Sequence, residues 1–118
     1  MRQEKTMGSQ SNIPFHPLGN TITIAAAGTP PTGQQAPINP ATSTSAGQYR
    51  IINSSSVLVF LGVGASAADA VTRANTVATS IPLLPGTDEV LRFGADVYFT
   101  GKAQSGTATV YITPGQGL

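Results

Sequence analysis

The segment Thr107-Ala108-Thr109-Val110-Tyr111-Ile112-Thr113 alternates without a break, with Ala108, Val110 and Ile112 on one side and threonines and Tyr111 on the other. Side chains of an extended chain point to opposite faces in turn, so a period of two predicts a half-buried strand. Pro114-Gly115 ends it. Upstream, Lys102–Gly106 reads as a Gly-containing hairpin loop and Val97–Thr100 as a strand. Gly94-Ala95-Asp96 reads as a turn and Asp88–Phe93 as a further strand. Pro85-Gly86 suits the central positions of a type II turn after a short strand at Ile81–Leu84.

Between Gly64 and Ser80 the chain is rich in alanine, and Asp69–Ala78 fits a short helix or an irregular crossing equally well. Before it, every residue of Val57–Leu61 is apolar, which predicts a strand central to the sheet or buried on both faces. Asn53–Ser56 reads as a turn and Tyr49–Ile52 as a strand, with Asn20–Ile24 another strand of period two. Residues 28–47 hold Pro30, Pro31, Pro37 and Pro40 and almost no large apolar side chain, so they are expected to form a long surface loop. Residues 1–19 read as an extended N-terminal arm, since Pro14 and Pro17 forbid a helix interior. Its sticky points are Ile13, Phe15 and Leu18, and Met7 is an alternative start to Met1. The expected fold is all-β: an antiparallel β-sandwich or jelly-roll-like domain over residues 20–118, with about seven short strands and the arm in front.

Composition bounds the function. Leu, Ile, Val and Phe supply 27 of the 118 residues, just above the ~20% below which a chain seldom builds a core. A net charge of +1, from six scattered basic residues against five acidic ones, leaves no footprint for a phosphate backbone, so no nucleic-acid partner is expected. The chain has no cysteine, and its longest aliphatic and aromatic run is far short of the ~20 residues that span a bilayer. No signal peptide is expected, and a product of the cytoplasm fits best.

Candidate chemistry is sparse. Gly62-Val63-Gly64-Ala65-Ser66-Ala67 matches the dinucleotide pattern G-x-G-x-x-A after an apolar strand, with Asp88 about where a ribose-binding acid stands. The remaining chain lacks room for the alternating β–α units that build such a crevice, so the glycines are read as ending a strand. The one histidine, His16, lies in the arm without a rigid orienting carboxylate. Asp88 and Glu89 are neighbours in a strand and point to opposite faces, so they cannot share a proton. A Ca²⁺ held by one of them with Asp96 is the weaker alternative to solvated edge charges. Phe60 and one of Tyr98 and Phe99 are expected in the core, while Tyr49 and Tyr111 are either sandwich residues or a binding surface. No catalytic residue, cofactor or metal site is expected. A β body with two extended attachments is a protein whose work is contact.

Several stretches resemble a family of small tailed-bacteriophage virion proteins: Arg50-Ile51-Ile52-Asn53, Phe60-Leu61-Gly62-Val63-Gly64, Leu83-Leu84-Pro85-Gly86-Thr87-Asp88-Glu89-Val90, and Gly106 through Gly115. The likeness covers residues 48–118, about 60% of the chain. It implies a capsid decoration, or cement, protein with a sandwich or jelly-roll fold, made in the bacterial host cytoplasm and bound outside the head. It further implies the major capsid protein as partner, a homo-dimer or homo-trimer on the capsid, no membrane, and no enzyme activity. Ile13, Phe15 and Leu18 are then the expected anchors on an adjacent subunit. The alternative is a tail-associated or adhesion module that recognises a host cell-surface carbohydrate.

Overall fold

A computed structural model describes residues 14–117. The alternating segment becomes β9 (Thr107–Gln116), the longest strand, which lies between β2 (Ile22–Ala27) and β4 (Gly47–Asn53) and runs antiparallel to both. β4 is flanked on its far side by β7 (Asp88–Phe93), the last strand on that side among the described residues. On the other side β2 meets β8 (Tyr98–Ala103) in parallel through the single pair Ala27↔Lys102. Beyond β8 lie β5 (Val59–Gly64) and then β6 (Ile81–Leu83), both antiparallel to their neighbours. Two-residue strands β1 (His16–Pro17) and β3 (Gln34–Gln35) add to β9 and β8. The order is therefore β6-β5-β8-β2-β9-β4-β7.

The all-β expectation holds, but the sheet is mixed and continuous, curled into a half-barrel. β6 and β7 stand at opposite ends of the order yet are joined directly by the Pro85-Gly86 turn, with Gly86 at φ 71° and Thr87 N–H donating to Leu84 O at 3.2 Å. Only a curled sheet brings its two ends that close. Buried Asn53 holds them together: its amide donates to Val57 O at 2.9 Å and to Leu83 O at 3.0 Å, and its backbone N–H donates to Thr87 O. The expected hairpin at 102–106 is absent, because β2 is inserted between β8 and β9 and the loop steps across it.

Ala108, Val110 and Ile112 face inward as their alternation requires, and meet Ile24, Ile51, Val59, Leu61 and Phe99 in the core. Tyr49 is fully buried too, with ring centroids 5.7 Å from Phe99 and 6.2 Å from Phe93. Its hydroxyl donates to Pro37 O at 2.9 Å, which satisfies the one polar atom it carries inside. Phe60 is a correction: it lies half-buried on the outer face, because the residues of β5 that point inward are Val59, Leu61 and Val63.

Residues 28–47 follow the expected irregular path but are stitched to β8 rather than looping free. Gln34 and Gln35 pair with Phe99 and Tyr98, Ala36 N–H donates to Val97 O, and Thr100 Oγ1 donates to Pro31 O at 2.7 Å. Asn39 closes the segment: its Oδ1 accepts from Ala41 N–H at 2.9 Å, an Asx turn, while its amide donates to Gln48 O and Gly115 O. The chain before it is also engaged, since Leu18 N–H donates to Pro114 O at 2.8 Å.

The one α-helix among the described residues, α1 (Ala67–Ala74), begins two residues before the expected Asp69 because Ser66 caps it, accepting from Asp69 N–H at 3.1 Å. It stops at Ala74, and a short 3-10 turn at Val77–Thr79 leads into β6. It packs on the outer face of β5 and β8.

Candidate interaction surface

The glycine motif is explained by that packing. Gly62 and Gly64 both lie inside β5, two residues apart and therefore on one face, the outer one. A Cβ at Gly62 would stand 2.7 Å from Ala74 N, and one at Gly64 2.6 Å from Ala70 N. Gly33 is pressed in the same way, with a Cβ there only 2.8 Å from Ala67 Cα. The space over the glycines is filled by the chain's own helix. Asp88, far from it on β7, is bound to Arg50, whose Nε donates to its two carboxylate oxygens at 2.9 and 3.1 Å. That guanidinium holds the Asp88 carboxyl below the usual carboxylate range.

The other sequence candidates are dispersed. His16 is exposed on β1 opposite Gln116. Asp69 accepts from Ala65 N–H and from Arg73, and the backbone N–H in particular lowers its pKa. Asp96 accepts from Ser45 N–H at 2.9 Å, which ties the Pro-rich segment to the start of β8. Among the described residues no three of His, Cys, Asp and Glu gather as a metal site would need. Ile13 lies outside the described residues. Phe15 is half-buried with its ring against Gly115, where a Cβ would strike it, and Leu18 is half-buried beside Pro114. Both are seated on the chain's own β9.

An organised, partly exposed surface is formed by the outer face of β2, β9, β4 and β7. Register sets it: Thr23, Tyr111, Ile52 and Asp88 stand side by side across the four strands. Tyr111 is 40% exposed, Ile52 and Val90 are half-buried, and Thr21 and Thr113 share a hydroxyl bond at 2.7 Å. Among the described residues no helix roofs this face, whereas α1 roofs its counterpart on β5 and β8. At one end it opens into a shallow cleft of about 150 Å³ between Thr42, Gln48 and Arg92. Of the two tyrosines considered for a binding surface, only Tyr111 is available; burial and Asp96 push the Tyr49 hydroxyl up to about 12. The sequence signal for this face was the outward half of the β9 alternation, three threonines and a tyrosine. No helix among the described residues is long and apolar enough to cross a membrane. Comparison with protein-family models, with curated proteins and with solved structures found no match.

Proposed function

We propose that this chain is a non-enzymatic structural protein that acts by contact: a decoration protein on the outer surface of a phage head, bridging neighbouring major capsid subunits. The observation that carries the reading is the unroofed outer face centred on Tyr111. An exposed aromatic ring flanked by an apolar and a polar neighbour, here Ile52 and Thr23, is a common anchor of a protein contact. Arg50 on this face is already paired with Asp88, which leaves Arg92 as its one unpaired charge among the described residues, too little for a polyphosphate. The buried polar side chains serve the fold itself: Asn39, Ser45, Asn53 and Thr100 all bond to backbone atoms of this chain. The curled halves β6-β5-β8 and β2-β9-β4-β7, joined by one residue pair, are in this reading the two layers of a sandwich. Binding only to the assembled shell stabilises it by mass action, with no chemistry required.

Purified mature heads are the test. The protein is expected on them in a copy number comparable with the major capsid subunit, and its absence from heads overturns the reading. A second reading, a tail-associated module that binds carbohydrate, draws on the same exposed ring, since Tyr111 lies open beside Thr23 for stacking by a sugar. Binding in a glycan array together with location on the tail would select it.

A further inference from the structure

The two ends of the sheet differ in how they are closed to further pairing. β6 has three residues, one of them Pro82, which removes a backbone donor and blunts the edge. β7 has six residues, no proline and an unbroken register with β4. No strand among the described residues pairs on its other side. The direction of its backbone groups follows from the bond between Asn53 N–H and Thr87 O, which continues the register of β4 with β7. Antiparallel pairs alternate between bonded and non-bonded. Thr87, Glu89, Leu91 and Phe93 therefore aim their backbone groups at β4, and Asp88, Val90 and Arg92 aim theirs outward.

We infer that β7 pairs edge to edge, antiparallel, with β7 of a second copy about a two-fold axis at Val90. Opposed residues on bonded strands must share a face and both aim their backbone groups across the gap. With at least three residues of β7 opposed, this leaves registers centred on Glu89, Val90, Leu91 or Arg92, and the last sets Arg92 against Arg92. The first sets Glu89 against Glu89 of the second copy. The third sets Val90 against Arg92 and Glu89 against Phe93. The register at Val90 sets Asp88, whose carboxylate Arg50 of its own chain also holds, against Arg92 of the second copy at both ends, with Val90 against Val90 between them. Arg92 is exposed and has no ion-pair partner among the described residues, so it is available for this role. Glu89, the charge on the inner side of the edge strand, excludes the wrong alignment. The resulting two-fold contact is isologous and closes at two copies. It extends the outer face bearing Tyr111 and Ile52 into one sheet shared by both molecules. The inference stands on β7 alone and does not require that the protein bind a capsid.

Sedimentation of the full chain over a concentration series tests it. A strand-edge contact is small for a specific interface, so the dissociation constant is expected on the order of 1–100 µM. R92E and D88K each oppose like charges and are expected to weaken dimerisation at least tenfold. An equimolar mixture of the two restores opposite charges at both ends and is expected to dimerise like the wild type. V90P removes an outward N–H without touching the bonds to β4 and is expected to be monomeric, with circular dichroism confirming its fold. A wild type that stays monomeric at about 500 µM, a trimer, single charge variants that dimerise like the wild type, or a mixture of folded variants that stays monomeric each overturns the proposal. The charge variants decide the matter even if V90P fails to fold.

Discussion

Substituting Gly62 with alanine measures how closely α1 is seated on β5. The added methyl would lie 2.7 Å from Ala74 N and 2.8 Å from Ala74 Cβ, where ordinary contacts are 3.4–4 Å. The obstacle is helix backbone, which cannot rotate away as a side-chain tip would, so α1 has to lift by about 1 Å, which forfeits a quarter to a half of the dispersion energy across the seam. Ala70 and Ala74, both fully buried, lie on that seam. Overpacking of this kind costs about 1–3 kcal/mol, offset in part by the lower chain entropy of unfolded alanine relative to glycine. The net expectation is a loss of about 2 kcal/mol, or roughly 8 °C in Tm for a domain of this size.

Gly64→Ala is expected to cost a similar amount, since its Cβ would lie 2.6 Å from Ala70 N. Gly28→Ala and Gly94→Ala are the controls: a Cβ there meets nothing within 4 Å and neither residue has a positive φ, so each is expected within about 0.5 kcal/mol of the wild type. The double variant G62A/G64A carries the finer test. Once the helix has lifted for one methyl the second finds room, so the pair should cost at least about 0.5 kcal/mol less than the sum of the singles. Urea unfolding followed by circular dichroism reads all five. Stability of G62A equal to that of the controls would refute the close seating, and strict additivity would refute the shared displacement. A ligand-binding role for the two glycines predicts the opposite pattern, a lost ligand at unchanged stability.

Three further outcomes are expected. Asn53→Ala leaves the buried carbonyl of Leu83 and the part-buried one of Val57 without the amide that joins β4 to β6, and should cost about 2–4 kcal/mol in chemical denaturation. Tyr49 holds its proton up to about 12 when folded, against 10.0 for an ordinary tyrosine, so its stabilisation is complete below pH 10 and lost as pH rises through 12. That alkaline loss is expected at about 2–3 kcal/mol, and Tyr49→Phe should remove it while starting about 1 kcal/mol lower at neutral pH; stability measured at several alkaline pH values checks both. Tyr111→Ala, on an open face, should shift Tm by no more than a few degrees, and under the proposed function it should weaken co-sedimentation with heads at least tenfold.

The fold was legible where one residue's neighbours fixed its environment. The β9 alternation named the inward residues Ala108, Val110 and Ile112 correctly, and the Pro85-Gly86 turn and the buried strand through Leu61 were equally local. What escaped was decided by distant partners. Nothing within 102–106 announces that β2 will be inserted between β8 and β9. The seating of residues 28–47 depends on Asn39 reaching Gly115, seventy-six positions away, although Asn39-Pro40 is a turn signal that marks where to look. Phe60 was misplaced because in a uniformly apolar strand side-chain identity does not say which face is inward. On β5 that is settled by the glycines: they mark the side on which a helix lies.

The same logic reads the open face. Where α1 meets β5 the approach is at the level of the backbone, and the strand residues beneath it have been reduced to hydrogen. Across β9 the outward positions are Thr107, Thr109, Tyr111 and Thr113, with Arg50 and Ile52 beside them on β4. Where β5 has glycines this face carries side chains, so a partner's backbone is held off the sheet and contact is made side chain to side chain. Layers that meet through side chains settle about 10 Å apart, as two packed sheets do. A partner docked here as proposed would therefore also bring side chains to the seam, with a pocket for the ring. Trimming Thr109 and Thr113 to alanine should weaken that contact less than loss of Tyr111, because their hydroxyls can return to water while the ring cannot recover its buried area. Attachment that depended equally on all three would mean the face is recognised by hydrogen bonding, and the aromatic anchor would have to be given up.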